Sequence, residues 1–382
     1  MIHVTVCYGK NFTNIEFPCS ERYLQSKLME IGMSEAYESE LFIEKVKQPE
    51  YMFELENMFI NLDELNYLAK RLDSFGRNEM MQFNAVAKQY DMKEMKELIN
   101  LTFNLQRYTL IQDISSMEKV GRTHILNLQG GLGEEEMETC DFEAIGKELI
   151  ASGRGKITEH GILFENEEIP FEEVYDGQVF PEYIYKDCLI SAEIQAGNKS
   201  EYAYLPCDEI EIEKALHRLG VNDICYCGIY LSNINVAGEK WLNVFREILE
   251  EEGLDEVNRL AKAVNSFSGL DEWNKLSAVA AFTDVQGSKP LTALARNLGS
   301  FIFIPNIQDQ EELARYWIEH NEEYELSPEL EDFFLYDQFG EQIENDTQGV
   351  FLEAGYVCLN GSRSLEEILG ETTTPNIAMG GI

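Results

Sequence analysis

The sequence is written twice. Leu62-Asp-Glu-Leu-Asn-Tyr-Leu-Ala-Lys-Arg-Leu-Asp-Ser-Phe75 aligns without a gap on Leu254-Asp-Glu-Val-Asn-Arg-Leu-Ala-Lys-Ala-Val-Asn-Ser-Phe267, with nine identities in fourteen positions. Upstream, Pro18, Cys19, Glu21, Leu28 and Gly32 fall on Pro206, Cys207, Glu209, Leu216 and Gly220. Downstream, Ile111 and Ile114 fall on Ile304 and Ile307, and Gly146, Gly155 and Gly161 on Gly340, Gly349 and Gly355. The order is kept and the offset drifts by a few loop residues. A duplication constrains folding strongly, because the same apolar positions must be buried by the same elements in both copies.

The repeat predicts two units, 1–187 and 188–370, followed by a flexible tail over 371–382. Each unit reads as three small pieces, with boundaries near 1–60, 61–125 and 126–187, then 188–250, 251–308 and 309–370. The first piece has strands around Ile2 to Val6 and Thr13 to Phe17 and a helix from Glu21 to Gly32 that ends at glycine. The second is helical. Asn61 followed by Glu64 suggests a capping box, and Leu65, Leu68, Ala69 and Leu72 form a buried helix stripe that Val257, Leu260, Ala261 and Val264 repeat. A further helix is expected near Met92 to Leu105, with a counterpart near Leu291 to Leu298. The third piece is a helix followed by glycine-punctuated strands, Gly161-Ile-Leu-Phe164 and Gly355-Tyr-Val-Cys-Leu359. The expected class is α+β, an elongated tandem of units that each run α/β, helical, α/β.

Charge narrows the function. Seventy Asp and Glu face thirty Lys and Arg, a net charge of −40, yet 44% of the residues are hydrophobic and 11% aromatic, so the chain is a folded polyanion and not a disordered acidic tail. Such a charge opposes binding to nucleic acid or anionic lipid and favours a basic partner. Residues 1–190 carry 35 acidic and 18 basic side chains, net −17; residues 191–382 carry 35 and 12, net −23. Within each copy the acid is concentrated late. Glu134 to Glu182 holds fifteen acidic and three basic residues, and Glu311 to Val350 thirteen and one, each net −12. In the second stretch the carboxylates alternate with Tyr316, Trp317, Ile318, Tyr324, Phe333, Phe334, Leu335 and Phe339, a pattern that packs one face and holds charge on the other. A solvated face or a halophilic surface is the plainer explanation; against the second, Glu (54) far exceeds Asp (16). Duplex DNA carries about one charge per 1.7 Å, so forty charges correspond to roughly 20 base pairs.

Motifs for chemistry are missing. Gly130-Gly131-Leu-Gly133 and Gly153-Arg-Gly155 lack both the Lys-Ser/Thr of a Walker loop and the G-x-G-x-x-G spacing, and read as turns. His3, His124, His160, His217 and His320 are isolated, with no H-E-x-x-H, and no G-x-S-x-G marks a nucleophile. Eight cysteines include the pair Cys225 and Cys227 but no C-x-x-C, which suits reduced structural thiols. No run approaches about 18 apolar residues and no export signal precedes the first strand, so a cytoplasmic protein without cofactor, metal or catalytic residue is expected.

Ala314-Arg-Tyr-Trp-Ile-Glu319, then Phe334-Leu-Tyr-Asp-Gln-Phe-Gly-Glu-Gln-Ile343, then a strand through Gly355, resembles the C-terminal part of the ArdA antirestriction proteins, with their A-R-Y-Y-I-E and D-Y-x-A-Y-G-R-D-L segments. Phe17-Pro18 before a helix ending at Ile31-Gly32, and Glu64-Leu-Asn-Tyr-Leu68, look like that family's F-P and E-L-N-x-L helices. The resemblance implies a non-enzymatic, elongated mimic of bent B-form DNA that blocks type I restriction-modification enzymes by occupying their DNA site. Such proteins are typically carried by mobile genetic elements. This sequence departs from the family in having two units where members are single units that dimerise, and in Glu341 where an Arg is usual.

The sequence therefore nominates a phosphate-mimicking surface of Glu134, Glu135, Glu136, Glu138, Asp141 and Glu143 in the first copy. In the second it nominates Glu319, Glu322, Glu323, Glu325, Glu329, Glu331, Asp332 and Asp337. The partner is the basic DNA-binding groove of a type I restriction-modification enzyme. The alternative is an acidic protein sequestering another basic protein, such as a nucleoid protein, a transcription factor or a CRISPR nuclease. The chain is expected to be a monomer with an internal pseudo-dimer, or a homodimer.

Overall fold

Alternating apolar residues set the first sheet. In β1 (Ile2–Tyr8) and β2 (Asn11–Phe17), Ile2, Val4, Val6, Ile15 and Phe17 point inward and are buried. Their antiparallel register runs from Ile2 opposite Phe17 to Tyr8 opposite Asn11, which leaves Gly9-Lys10 as a two-residue turn. With β3 (Glu40–Gln48) and β4 (Phe59–Asn61) they form an antiparallel sheet in the order β2-β1-β3-β4. Helix α1 (Glu21–Glu30) follows β2, its first turn capped by Ser20, whose Oγ accepts from the Tyr23 N–H at 3.3 Å. The computed structural model describes residues 1–33, 40–133, 139–321 and 331–370.

A helical piece comes next, with α2 (Leu62–Asp73), α3 (Arg77–Gln89) and α4 (Met95–Leu101). Asn61 Oδ1 accepts from the N–H groups of Asp63 and Glu64, and the Leu65, Leu68, Ala69, Leu72 stripe is buried. Glu64 sends its Oε1 to a different task, accepting from the Tyr175 hydroxyl at 2.8 Å. The third piece contains β5 (Tyr108–Ile111), α5 (Met117–Gln129), α6 (Phe142–Ala151), β6 (Lys156–Thr158) and β7 (Gly161–Glu165), with sheet order β5-β7-β6. Residues 166–189 contain neither helix nor strand.

The same succession then recurs. Strands β8 (Ile190–Ala196) and β9 (Lys199–Leu205), helix α7 (Glu209–Leu219) and β10 (Gly228–Asn233) repeat the opening, with order β10-β8-β9. Helix α8 (Gly238–Glu252) replaces β4, and α9 (Leu254–Val264), α10 (Leu270–Thr283) and α11 (Ser288–Arg296) match α2 to α4. Then come β11 (Phe301–Pro305), α12 (Gln310–His320), α13 (Tyr336–Thr347), β12 (Val350–Leu352) and β13 (Gly355–Leu359), with order β11-β13-β12, and a last helix α14 (Leu365–Gly370). The class is α+β.

Corresponding positions also do the same physical work. Asn66 Oδ1 accepts from the Cys19 N–H and its Nδ2 donates to the Cys19 carbonyl, both at 3.0 Å; Asn258 holds Cys207 by the same two bonds at the same distances. Both asparagines are buried, and each satisfies two backbone groups, buried at Cys207 and part-buried at Cys19. A Cβ on Gly146 would lie 1.9 Å from the Met117 carbonyl oxygen, and one on Gly340 1.9 Å from that of Gln310, so these glycines let α6 approach the start of α5 and α13 the start of α12. Gly161 (φ +134°) and Gly355 (φ +142°) open β7 and β13 in backbone that a side chain rarely adopts.

The chain divides into two compact units. One comprises Met1–Asp187, Glu193–Ala203 and Asp208–Ile229; the other comprises Cys188–Ala192, Tyr204–Cys207 and Tyr230–Ile382. Helix α7, by sequence an element of the second copy, thus packs within the first unit. That unit has one continuous core running from Ile2 on β1 to Tyr175, with a smaller cluster of Ile111, Val120, Leu149 and Phe164.

Candidate acidic interface

Burying a carboxylate costs several kcal/mol unless a cation meets it. Among the described residues only Glu21, Asp63 and Glu201 are buried carboxylates; the first two share one cation and the third has another. Lys214 Nζ, on α7, lies 2.6 Å from Glu21 Oε2 and 2.5 Å from Asp63 Oδ1 with its side chain 3% exposed. One turn on, Arg218 donates from Nε and Nη2 to the two oxygens of Glu201 at 2.9 and 3.0 Å. Burial works against the charged form of Glu21, but Lys214 and Lys70 outweigh it and hold the carboxyl below its ordinary range. Lys214 balances in the same way: desolvation pulls its pKa down, and Asp63 and Glu21 raise it above the ordinary lysine value. The remaining described carboxylates are half-buried or exposed. Lys214 sits four residues after buried Ile210, on the core face of an amphipathic helix, which is the trace of this triad in the sequence.

Of the first nominated group, Glu134, Glu135, Glu136 and Glu138 lie outside the described residues. Asp141 and Glu143 are exposed at the start of α6. Asp141 caps that helix, its Oδ1 accepting from the Ala144 N–H at 3.0 Å, and Glu143 pairs with Lys147 one turn on at 2.6 Å. Both therefore have local partners as well as solvent.

A stronger acidic surface lies further along, in residues 166–189. Glu167, Glu168, Glu172, Glu173, Asp176, Glu182 and Asp187 are all exposed there, with Lys186 the one basic residue between Glu167 and Asp187. Although it lacks regular structure, the segment is bound tightly to the helical piece. Asn104 donates to the Glu172 carbonyl at 2.9 Å and accepts from its N–H at 2.8 Å; Asn100 accepts from the N–H groups of Val174 and Tyr175 at 2.8 Å. Tyr175 is 2% exposed, and Phe180 stacks on Tyr67 at 4.6 Å with Arg218 over its ring at 4.8 Å. Lys96 offsets Glu173 through an ion pair. The sequence reading nominated none of these seven, because what holds them is a pair of asparagines some seventy residues upstream.

In the second group, Glu322, Glu323, Glu325 and Glu329 lie outside the described residues, as does the side chain of Asp332. Glu319, near the end of α12, Glu331, in a single 3₁₀ turn, and Asp337, in the first turn of α13, are exposed. On α12 Arg315 donates to Glu311 of its own helix at 2.7 Å and lies over the ring of Tyr336, on α13, at 4.0 Å. Helix α13 carries Asp337, Glu341, Glu344 and Asp346 and no basic residue, while Gly340 and Ile343 face the core. Its twelve residues span about 18 Å, a length over which one DNA strand presents about five phosphates.

Among the described residues no three His, Cys, Asp or Glu side chains are grouped to hold a metal ion, and no helix is long and apolar enough to cross a membrane. Burial pushes the Cys19 thiol up to about 12, with Glu21 adding to the shift, which makes it a poor nucleophile. No curated protein matches the chain. The family model described as antirestriction protein (ArdA) matches residues 198–358, from β9 through β13. Over those residues the chain is similar to the ArdA antirestriction family.

Proposed function

We propose that the chain is a non-catalytic DNA mimic that occupies the basic DNA-binding groove of a type I restriction-modification enzyme in the cytoplasm, and that residues 1–187 and 188–370 are two ArdA-like units in tandem. The observation that carries the reading is the sorting of charge. A chain of net charge −40 buries only three of its described carboxylates, pairs each with Lys214 or Arg218, and leaves the rest at or near the surface of packed scaffolds. The recurrence of β-hairpin, helical piece and glycine-pinned sheet in both copies, with the same asparagine clamp, supports the tandem. The nominated carboxylates, joined by those of 167–187 and α13, act as a field, so each exposed charge contributes little alone.

The test is a plasmid-restriction assay in cells that carry a type I system, with and without the chain. Full-length protein is expected to relieve restriction. A variant with Glu167, Glu168, Glu172, Glu173 and Asp176 changed to Gln or Asn, combined with the same change at Asp337, Glu341 and Asp346, is expected to lose most of that relief. Undiminished relief by the folded variant would refute the role given to these charges.

A further inference from the structure

The first unit contains a cavity of about 470 Å³, within the size range of small-ligand sites. Its floor is apolar: Met52, Leu55, Phe83 and Leu98 are each 3% exposed or less. Tyr51 and Phe53 add aromatic faces, and Phe53 is 43% exposed. Burial pushes the Tyr51 phenol up to about 12, so that ring is neutral at physiological pH. Around the mouth stand the exposed carboxylates Glu50, Glu54 and Glu159, together with Lys88 and His160.

Two of those carboxylates are met by the protein's own lysines, Glu159 by Lys88 at 3.1 Å and Glu54 by Lys93 at 3.5 Å. Both pairs are solvent-exposed, a setting in which an ion pair contributes little, so an incoming cation displaces them readily.

An aliphatic floor, aromatic walls and a rim that carries three carboxylates match one common side chain. Arginine has an apolar stem, a flat cation that stacks on aromatic faces, and five N–H donors that suit carboxylates. Arginines that fill pockets are also frequent hot spots of protein interfaces. We propose that this cavity is an anchor for a single arginine side chain projecting from the partner. The identity of the partner as a basic DNA-binding protein rests on the function proposed above; the chemistry of the cavity does not.

Full-length protein labelled at the methionine methyl groups is titrated with N-acetyl-arginine methylamide, with the neutral isostere N-acetyl-citrulline methylamide as the comparison. Saturable shifts confined to Met52 and Met92, at least tenfold weaker with citrulline, are expected. They should weaken by a similar factor in the rim variant Glu54→Gln, Glu159→Gln and vanish in Ala87→Phe, which fills the cavity. Equal response to citrulline, shifts spread over remote Met29 and Met117, or undiminished binding by the rim variant would overturn the site. In the restriction assay a folded Ala87→Phe chain should relieve restriction at least tenfold less well; full relief would overturn the anchoring role. A wild-type chain that binds the arginine probe here yet inhibits no restriction enzyme sinks the DNA-mimic reading and leaves the cavity standing.

Discussion

Replacing Lys214 by Met tests the most concentrated electrostatic feature of the fold. The ammonium is 3% exposed and is the cation for both Glu21 and Asp63, whose side chains are 11% and 7% exposed. Methionine fills much of the same volume, so the change removes charge more than packing. Breaking a buried pair from one side costs about 3–5 kcal/mol, and Lys70, which also favours the charged form of Glu21, argues for the lower end of that range. The sign of the pH dependence is diagnostic. In the native protein Glu21 has a lowered pKa, so its contribution is present above its unfolded value of about 4.3 and is lost as pH falls through the folded value. Lys214 has a raised pKa, so its contribution is present below about 10.4 and is lost as pH rises through the folded value. Without Lys214 a buried carboxyl has its pKa raised, and the deficit grows with pH by about 1.4 kcal/mol per unit from about pH 5 up to that raised value. Urea unfolding at about pH 5 and pH 8, followed by circular dichroism and hydrogen exchange in the first unit, reads the effect. Trp241, Trp273 and Trp317, all in the second unit, give an internal fluorescence reference. Adding Glu21→Gln and Asp63→Asn should restore most of the stability. A loss under about 1 kcal/mol with no pH dependence would refute the reasoning.

Asn66→Ala and Asn258→Ala each leave a backbone N–H and C=O without their partner, part-buried at Cys19 and buried at Cys207, at an expected cost of about 2–4 kcal/mol measured by urea unfolding of the respective unit. The Asn66 variant should be the worse of the two, since its Nδ2 also donates to Glu21 at 3.1 Å. Gly340→Ala puts a methyl group 1.9 Å from the Gln310 carbonyl oxygen, so α12 and α13 must separate; a loss of about 1–3 kcal/mol and a lowered Tm of the second unit are expected.

How much of this could be read from the sequence follows from how local each interaction is. The α9 stripe of Val257, Leu260, Ala261 and Val264 was legible because helix period and duplication reported the same positions, and all four are buried. The glycine pairs 146/340 and 161/355 were legible as correspondences, though their cause is a backbone approach that only the fold reveals. The segment 166–189 was not legible, since Asn100 and Asn104 look like ordinary helix residues until their amides are seen bonded to Glu172 and Val174–Tyr175. The place of α7 was hidden for a related reason. A repeat marks where a copy begins, whereas packing follows Lys214 to its carboxylates in the other copy.

These features also separate what holds the fold from what the surface carries. The clamps at Asn66 and Asn258, the glycine contacts and the aromatic stack on Phe180 involve no exposed carboxylate, and the buried carboxylates are already paired with Lys214 and Arg218. The exposed acids meanwhile repel one another, a cost to the compact state that grows as salt is removed. Neutralising Glu167, Glu168, Glu172, Asp176, Glu341 and Asp346 should therefore leave stability unchanged or raise it, most clearly at low ionic strength, while inhibition falls. Exposed carboxylates kept for structural ion pairs would give the opposite sign, with stability and inhibition declining together. Thermal unfolding of this variant at low and high salt, set beside its restriction assay, distinguishes the two; a destabilisation that salt does not relieve would mean that the surface charge is part of the scaffold.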